Sequence, residues 1–129
     1  MPNMTVMLID DSVVVRDRLI RLLGEVSGLE IVGMAEDESG ALLLYEQCQP
    51  DAAVLDICLR TGSGLVVLEH IKRHKRQCLV IVLTNCIHAE FRRRCEQAGA
   101  DYFFEKFREF DRAARVLQKM SRQRLSRNE

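Results

Sequence analysis

The chain has 129 residues, of which 47% are hydrophobic and 29% charged, a composition that fits one globular domain with a single core. Its 19 basic residues balance its 19 acidic ones, which excludes an overall field that would hold a polyanion or an anionic membrane. The first ten residues carry only a short apolar run at residues 6–9, so neither a signal peptide nor a membrane span is predicted there. We therefore expect a cytoplasmic location.

The predicted elements alternate between strands and helices along the whole chain. Five apolar runs have the length of buried strands, at residues 6–9, 31–35, 52–55, 79–83 and 102–104. The segments between and after them carry apolar residues at helical spacing. These are Val15, Leu19, Leu22 and Leu23; Ala41, Leu44 and Tyr45; Leu65, Leu68 and Ile71; Phe91 and Cys95; and Phe110, Ala113, Ala114 and Leu117. In the first helix, Ser12 is placed to cap the start and Gly24 to end it.

Strands that alternate with helices predict right-handed βαβ units, and hence a parallel sheet covered by helices on both faces. The Val-, Ile- and Leu-rich strands agree with burial on both sides. No glycine-rich phosphate loop follows the first strand, so the sequence does not predict nucleotide binding by that route.

The chain contains five cysteines, an odd number, and none of them form a CxxC motif. They are Cys48, Cys58, Cys78, Cys86 and Cys95. This pattern argues against a disulfide framework or a zinc site, and cytoplasmic thiols are normally kept reduced. We therefore predict five reduced cysteines.

Polar residues follow four of the five predicted strands. They are Asp10 and Asp11 after the first strand, Asp56 after the third, Thr84 after the fourth and Lys106 after the fifth. In an open parallel sheet the ligand crevice lies beyond the carboxyl ends of the strands, so these side chains should converge at one edge.

Three converging carboxylates raise one another's pKa values unless a cation neutralises them. An all-oxygen set favours a hard cation, and Mg²⁺ suits an open site with few direct protein ligands. An alternative is that Asp10 and Asp11 only stabilise a helix dipole, while Asp56 and Lys106 form a surface ion pair.

Four segments together resemble the receiver domain of two-component response regulators, of the single-domain, chemotaxis-regulator-like type. They are Leu8-Ile-Asp-Asp-Ser12 with Arg16, Val54-Leu-Asp-Ile-Cys-Leu59 with Gly64, Val82-Leu-Thr84, and Gly99-Ala-Asp-Tyr-Phe-Phe-Glu-Lys106. The resemblance implies a doubly wound (βα)5 flavodoxin-like fold with a central five-stranded parallel sheet. It also implies one domain over residues 1–129, with a core at about 5–120 and a basic C-terminal tail at 121–129.

The resemblance assigns a role to each strand-end residue. Asp56 would take a phosphoryl group from a histidine kinase or phosphotransfer protein, and Thr84 and Lys106 would bind that group. Asp10, Asp11, Asp56 and the main-chain carbonyl of Cys58 would hold Mg²⁺. Thr84 and Phe103 would then rearrange the output surface for an unknown downstream protein target. The chain would thus be a phosphoacceptor regulator and not an enzyme, with only self-phosphorylation and slow self-dephosphorylation.

Four positions depart from the family pattern. Phe107 replaces the usual proline after the lysine, so a trans peptide bond is predicted there. Asn85 replaces a small residue, and Cys58 and Cys86 occupy positions that tune the lifetime of the phosphoryl group. Either these two thiols are apolar fillers that limit attack by water, or oxidation of them affects the switch.

Alternative functions remain open from the sequence. One is a receiver-like interaction module that works without phosphorylation. Another is a phosphatase with an aspartyl-phosphate intermediate, which is disfavoured because Ser12 stands two residues after Asp10, where those hydrolases carry an acid. Neither membrane nor direct nucleic-acid binding is expected, because the arginines at 92–94 and the basic tail fit solvated helix faces. Homodimerisation on phosphorylation is left open.

Overall fold

The structure is a computed structural model that describes residues 3–127. Within these residues, five strands and five helices alternate in the predicted order. The elements are β1 Met4–Ile9, α1 Val13–Leu23, β2 Leu29–Ala35, α2 Glu38–Cys48, β3 Ala52–Leu55, α3 Gly64–His74, β4 Leu79–Thr84, α4 Ala89–Gln97, β5 Tyr102–Glu105 and α5 Phe110–Arg127. None of the helices within residues 3–127 is long and apolar enough to cross a membrane.

The strands form one parallel sheet in the order β2-β1-β3-β4-β5. The chain moves outward from β1 to β2 on one side, then crosses to β3 and continues to β4 and β5 on the other. The predicted doubly wound fold is thereby confirmed. The reversal of direction between β1 and β3 is the topological switch point, where open α/β sheets place their ligand crevice.

Each face of the sheet has its own hydrophobic core, because successive side chains of a strand point to opposite faces. One core packs the sheet against α2, α3 and α4 through Met7, Ile9, Ala41, Tyr45, Ala53, Leu55, Val67, Leu68, Ile71, Val80, Val82, Cys95 and Phe103. The other packs it against α1 and α5 through Val6, Leu8, Val15, Leu19, Leu23, Val54, Ile81, Leu83, Phe110, Ala113, Ala114 and Leu117. Burial on both faces accounts for the nearly unbroken apolar strands.

Helix α1 begins and ends as the sequence indicates. The hydroxyl of Ser12 accepts a hydrogen bond from the Val15 N–H at 3.3 Å, and Gly24 forms the C-cap. Strand β1 is longer than predicted because Met4 pairs with Leu29 of β2, and this pairing is not visible in local propensity. On α3, Val67 is buried more deeply than the predicted Leu65.

The last helix covers much of the segment predicted to be a basic tail. Helix α5 continues to Arg127, and within it Ser121 is buried and donates a hydrogen bond to the Ser27 carbonyl oxygen at 2.7 Å. One turn further on, Arg124 lies 3.0 Å from a carboxylate oxygen of Asp51. These contacts tie the end of α5 to the edge of the sheet opposite the switch point.

Asp51 connects three elements at that edge. Its carboxylate accepts hydrogen bonds from the Thr5 N–H at 2.8 Å and the Thr5 hydroxyl at 3.1 Å, in addition to pairing with Arg124. Burial raises the pKa of Asp51, but the hydrogen bonds from Thr5 and the charge of Arg124 outweigh it, so the pKa lies below its usual value.

Asp51→Asn is therefore expected to lower the free energy of unfolding by about 1–2 kcal/mol at neutral pH, because charged hydrogen bonds are lost. Since the folded pKa lies below the unfolded value of about 3.9, this stabilisation is present above about pH 4 and is lost as the pH falls through the folded pKa. Urea unfolding at a series of pH values should show the difference between the two proteins shrinking in acid.

The matched control for this prediction is Asp17→Asn. Asp17 is exposed in the middle of α1, so its replacement should change stability by less than about 0.5 kcal/mol at any pH. If the difference in free energy of unfolding between wild type and Asp51→Asn stayed constant down to acid pH, the ionised carboxylate of Asp51 would not be the stabilising group.

Candidate functional site

Main-chain hydrogen bonds extend the sheet by one residue beyond three of its strands. The N–H of Asp10 donates to the Ala35 carbonyl at 3.0 Å, and the N–H of Asp56 donates to the Ile9 carbonyl at 2.9 Å. The N–H of Lys106 donates to the Thr84 carbonyl at 2.9 Å. The sheet therefore places Asp10 and Asp56 at the ends of neighbouring strands, and Lys106 two strands beyond Asp56 with Thr84 of β4 between them.

Lys106 lies between two carboxylates. Its ammonium nitrogen is 2.6 Å from Oδ2 of Asp56 and 3.0 Å from Oδ2 of Asp10. All three residues are buried, with 4–5% of their surface exposed. A triad of charges this deeply buried is held by mutual neutralisation, since any one charge alone would be costly to remove from water.

The remaining carboxylate oxygens of the two aspartates are also bonded. Oδ1 of Asp56 accepts hydrogen bonds from the Thr84 hydroxyl at 2.6 Å and the Cys58 N–H at 3.0 Å. Oδ1 of Asp10 accepts one from the Ser12 N–H at 2.8 Å. In the described part of the chain, no buried side-chain nitrogen or oxygen lacks a hydrogen-bond partner.

Burial and the charges of the triad together shift the pKa values of two of its members. Burial raises the pKa of Asp10 and the neighbouring Asp56 charge adds to this, while hydrogen bonds from Ser12 and Lys106 only partly oppose it. Burial lowers the pKa of Lys106, but its hydrogen bonds to both carboxylates and their charges outweigh burial and raise the pKa overall. The raised pKa keeps Lys106 positively charged. A second cation close to Asp10 would stabilise its ionised carboxylate, which burial disfavours.

The carboxylates of Asp10, Asp11 and Asp56 lie close enough together that they could hold one cation. One oxygen of each lies within 4.8 Å of the others, and Asp11 is half-buried with a route to solvent. Three carboxylates around one point are a donor set for a hard cation such as Mg²⁺. The main-chain carbonyl of Cys58 as a further ligand stays a prediction.

The five strand-end residues thus converge as predicted. The helix-dipole and surface-pair alternative does not describe them, because Asp56 and Lys106 are buried and Asp10 contacts Lys106 directly. The Lys106–Phe107 bond is trans, as expected, since the described residues contain no cis peptide bond. Lys106 nevertheless points into the site, while Phe107 is 77% exposed.

The predicted switch and pocket residues occupy distinct surroundings. Phe103 is buried in the core, and the Arg92 guanidinium carbon lies 5.4 Å from the centre of its ring. Asn85 is exposed at the mouth of the site. The roles of Thr84 and Phe103 in switching, and of Asn85 in tuning the pocket, stay predictions.

The prediction of five reduced cysteines is wrong for two of them. Cys58 and Cys86 are joined by a disulfide, with a sequence separation of 28 and a distance of 6.5 Å between their Cα atoms. Neighbouring strands β3 and β4 bring the two loops together, and sequence spacing does not reveal that neighbourhood. Cys48, Cys78 and Cys95 are free.

Two structural supports of the loop after Asp56 were not predicted. Glu38, the first residue of α2, accepts a hydrogen bond from the Ser63 N–H at 2.9 Å. Gly64 lies so close to the main chain that a Cβ there would collide with the Asp56 carbonyl oxygen and stand 2.6 Å from the Ile57 Cα. In the sequence Glu38 is indistinguishable from an ordinary first-turn acid, and nothing local to Gly64 indicates which main-chain atoms lie against it.

The fold and site define a (βα)5 domain with an acidic, lysine-containing pocket at the switch point. A family model described as the response regulator receiver domain matches residues 6–118. The chain therefore belongs to the receiver domain family of two-component response regulators.

Individual relatives agree with this assignment. The chain is 40% identical over 101 residues to a candidate transcriptional regulator of Pseudomonas aeruginosa, covering 78% of this chain and 48% of that protein. It is 31% identical over 101 residues to response regulator GacA of the same species, covering 78% of this chain and 47% of that protein. The response regulator domain of Thermotoga maritima CheB has the same fold, with a TM-score of 0.79, 24% identity, and coverage of 94% and 95%. The chain spans about half the length of the two Pseudomonas relatives.

Proposed function

We propose that this domain is a phosphorylation switch that accepts a phosphoryl group on Asp56 from a histidine kinase or phosphotransfer protein. The observation that carries the proposal is the pairing of Asp56 with Lys106 and Thr84, at 2.6 Å in each case, next to two further carboxylates. A nucleophilic carboxylate flanked by a cation and a hydroxyl is what phosphoryl transfer to aspartate requires.

The chain's own residues account for most of the chemistry. A carboxylate oxygen of Asp56 attacks phosphorus, and the bond from phosphorus to the donor nitrogen breaks. Lys106 and Thr84 already reach the carboxylate, so both are within reach of the phosphoryl oxygens once they are attached to it. A Mg²⁺ ion held by Asp10, Asp11 and Asp56, with the Cys58 carbonyl, would neutralise the negative charge of the transferred group.

The output follows from the same contacts. The added phosphoryl group brings negative charge and strong acceptor oxygens, which compete with Asp56 for the Thr84 hydroxyl and the Lys106 ammonium. Movement of Thr84 would alter the β4–α4 loop and the packing of Phe103, and so the surface offered to a downstream protein. Hydrolysis of the acyl phosphate returns the domain to its starting state without turnover of any other substrate.

The proposal predicts a phosphoryl adduct on the intact protein after incubation with a small acyl-phosphate donor and Mg²⁺. Mass spectrometry should detect one added phosphoryl group in the wild type and in the control Asp17→Asn, which alters an exposed carboxylate on α1. Asp56→Asn should abolish the adduct, and chelation of Mg²⁺ should reduce it strongly. An adduct that persists in Asp56→Asn would refute the assignment.

The same experiment separates the other two functions. An interaction module that works without phosphorylation would form no adduct under any of these conditions. A phosphatase would instead release phosphate from a small phosphate ester continuously without an accumulated adduct.

A further inference from the structure

The disulfide between Cys58 and Cys86 lies beside the phosphoacceptor. Cys58 is two residues after Asp56, and Cys86 is two residues after Thr84. Strands β3 and β4 are hydrogen-bonded neighbours, so their carboxyl-terminal loops emerge side by side. The Cα separation of 6.5 Å is within the range that a disulfide spans without movement of the main chain.

Both cysteines also contact the functional groups through their main-chain amides. The Cys58 N–H donates to Oδ1 of Asp56 at 3.0 Å, and the Cys86 N–H donates to the Thr84 hydroxyl oxygen at 3.1 Å. The Thr84 hydroxyl in turn donates to that same Oδ1 of Asp56. The covalent bond and the Thr84–Asp56 hydrogen bond therefore cross the same gap between the two loops.

We propose that Cys58 and Cys86 form a reversible redox modification site that, when oxidised by a peroxide, holds Thr84 against the phosphoacceptor and prolongs the phosphorylated state. This inference rests on the proposed function of Asp56. A disulfide would prevent the β4–α4 loop from moving away from the site, and water would reach the acyl phosphate less often.

Oxidation of the two thiols by a peroxide proceeds in two steps. The Cys58 sulfur attacks one peroxide oxygen, the O–O bond breaks, and Cys58 becomes a sulfenic acid while the other oxygen leaves as water or an alcohol. The Cys86 thiol then attacks the Cys58 sulfur, the disulfide forms, and its proton leaves with the hydroxyl group as water. The two thiols lose two electrons and the peroxide gains two. A reduced dithiol restores both thiols by thiol–disulfide exchange and is itself oxidised to a disulfide.

The positions of the five cysteines make this pair the selective target. Cys58 is exposed at a cleft between α3 and α4, so an oxidant can reach it. Cys78 and Cys95 are buried, and burial raises the pKa of each thiol to about 11, which leaves little reactive thiolate. Cys48 is half-buried, and its sulfur lies 4.0 Å from the Val32 carbonyl oxygen.

The first measurement needs no phosphoryl donor. After treatment with hydrogen peroxide, peptide mass mapping of the full chain should find Cys58 linked to Cys86 and the other three thiols free. Amide hydrogen exchange at residues 85–88 should be slower in the oxidised protein than after reduction by a dithiol. Failure to find the link, or equal exchange in the two redox states, would overturn the proposal.

The second measurement is the half-life of the phosphoryl adduct in each redox state. The oxidised wild type should keep the adduct about five to ten times longer, the change in rate that one retained hydrogen bond corresponds to. Cys86→Ser should bring the ratio of half-lives to one, and the control Cys48→Ser should leave it as in the wild type. Equal half-lives in oxidised and reduced wild type would refute the regulatory role.

The two measurements separate the redox site from the function on which it rests. If neither redox state forms an adduct, the proposed phosphoacceptor function fails. In that case slower exchange at residues 85–88 would still support the redox lock, and unchanged exchange would refute it.

Discussion

Lys106→Met is expected to lower the free energy of unfolding by about 3–5 kcal/mol, because it leaves buried carboxylates without their cation. The ammonium lies 2.6 Å from Asp56 and 3.0 Å from Asp10, and about 5% of each residue is exposed. Methionine fills a similar volume, so the loss of stability comes from the missing charge and not from a cavity. Denaturant unfolding in the presence of a chelator measures the free energy of unfolding.

Two treatments should restore stability to the Lys106→Met variant. Acid should do so because burial already raises the pKa of Asp10, and the mutation removes Lys106, whose hydrogen bond and charge lower that pKa. Because its folded pKa lies above the unfolded value of about 3.9, the Asp10 carboxylate destabilises the fold at higher pH. This destabilisation shrinks as the pH falls through the folded pKa and is gone below the unfolded pKa. Mg²⁺ should also stabilise the variant, because it binds the folded carboxylate cluster in preference to the unfolded chain.

Lys119→Met serves as the control for this prediction. Lys119 is exposed on α5, so its replacement should change stability by less than about 0.5 kcal/mol and should respond to neither acid nor Mg²⁺. A loss of the same small size in Lys106→Met would show that the buried charges are not coupled as the distances indicate.

Gly64→Ala is expected to lower the free energy of unfolding by about 3 kcal/mol, which is at the upper end of the usual effect of overpacking. The added methyl group would meet the Asp56 carbonyl oxygen and the Ile57 Cα, which are main-chain atoms that cannot turn aside. The end of β3 would have to move, and Asp56 with it, so the yield of phosphoryl adduct should fall together with stability. Urea unfolding and intact-mass measurement on the same preparations test both effects.

Gly33→Ala is the matched comparison, because the three atoms nearest to its added methyl group all belong to the side chain of the half-buried Leu44. A leucine can change rotamer, so the loss should be clearly smaller than for Gly64→Ala. Equal losses in the two variants would mean that the loop after β3 tolerates displacement, contrary to the close approach described above.

Local sequence patterns determined the helices and strands of this protein and the residues that follow its strands. Apolar runs and helical spacing predict all ten elements, because burial on both faces of a strand and on one face of a helix leaves a direct signature. Ser12 and Gly24 mark the ends of α1 for equally local reasons. The residues of the site could be listed because each one follows a strand, and parallel strands end at a common edge.

Contacts between distant residues were decided only by the tertiary structure. The strand order and the register that aligns Asp10, Asp56 and Lys106 depend on pairing between strands, which local spacing does not encode. The position of Lys106 after β5 predicts that it lies at the same edge as the aspartates, but only the structure shows that its ammonium contacts both Asp10 and Asp56. Local spacing does not predict the Cys58–Cys86 disulfide either, because its two sulfurs meet only where β3 and β4 are neighbours in the sheet. Sequence thus determined which residues stand at the ends of the strands, and the sheet determined which of them touch.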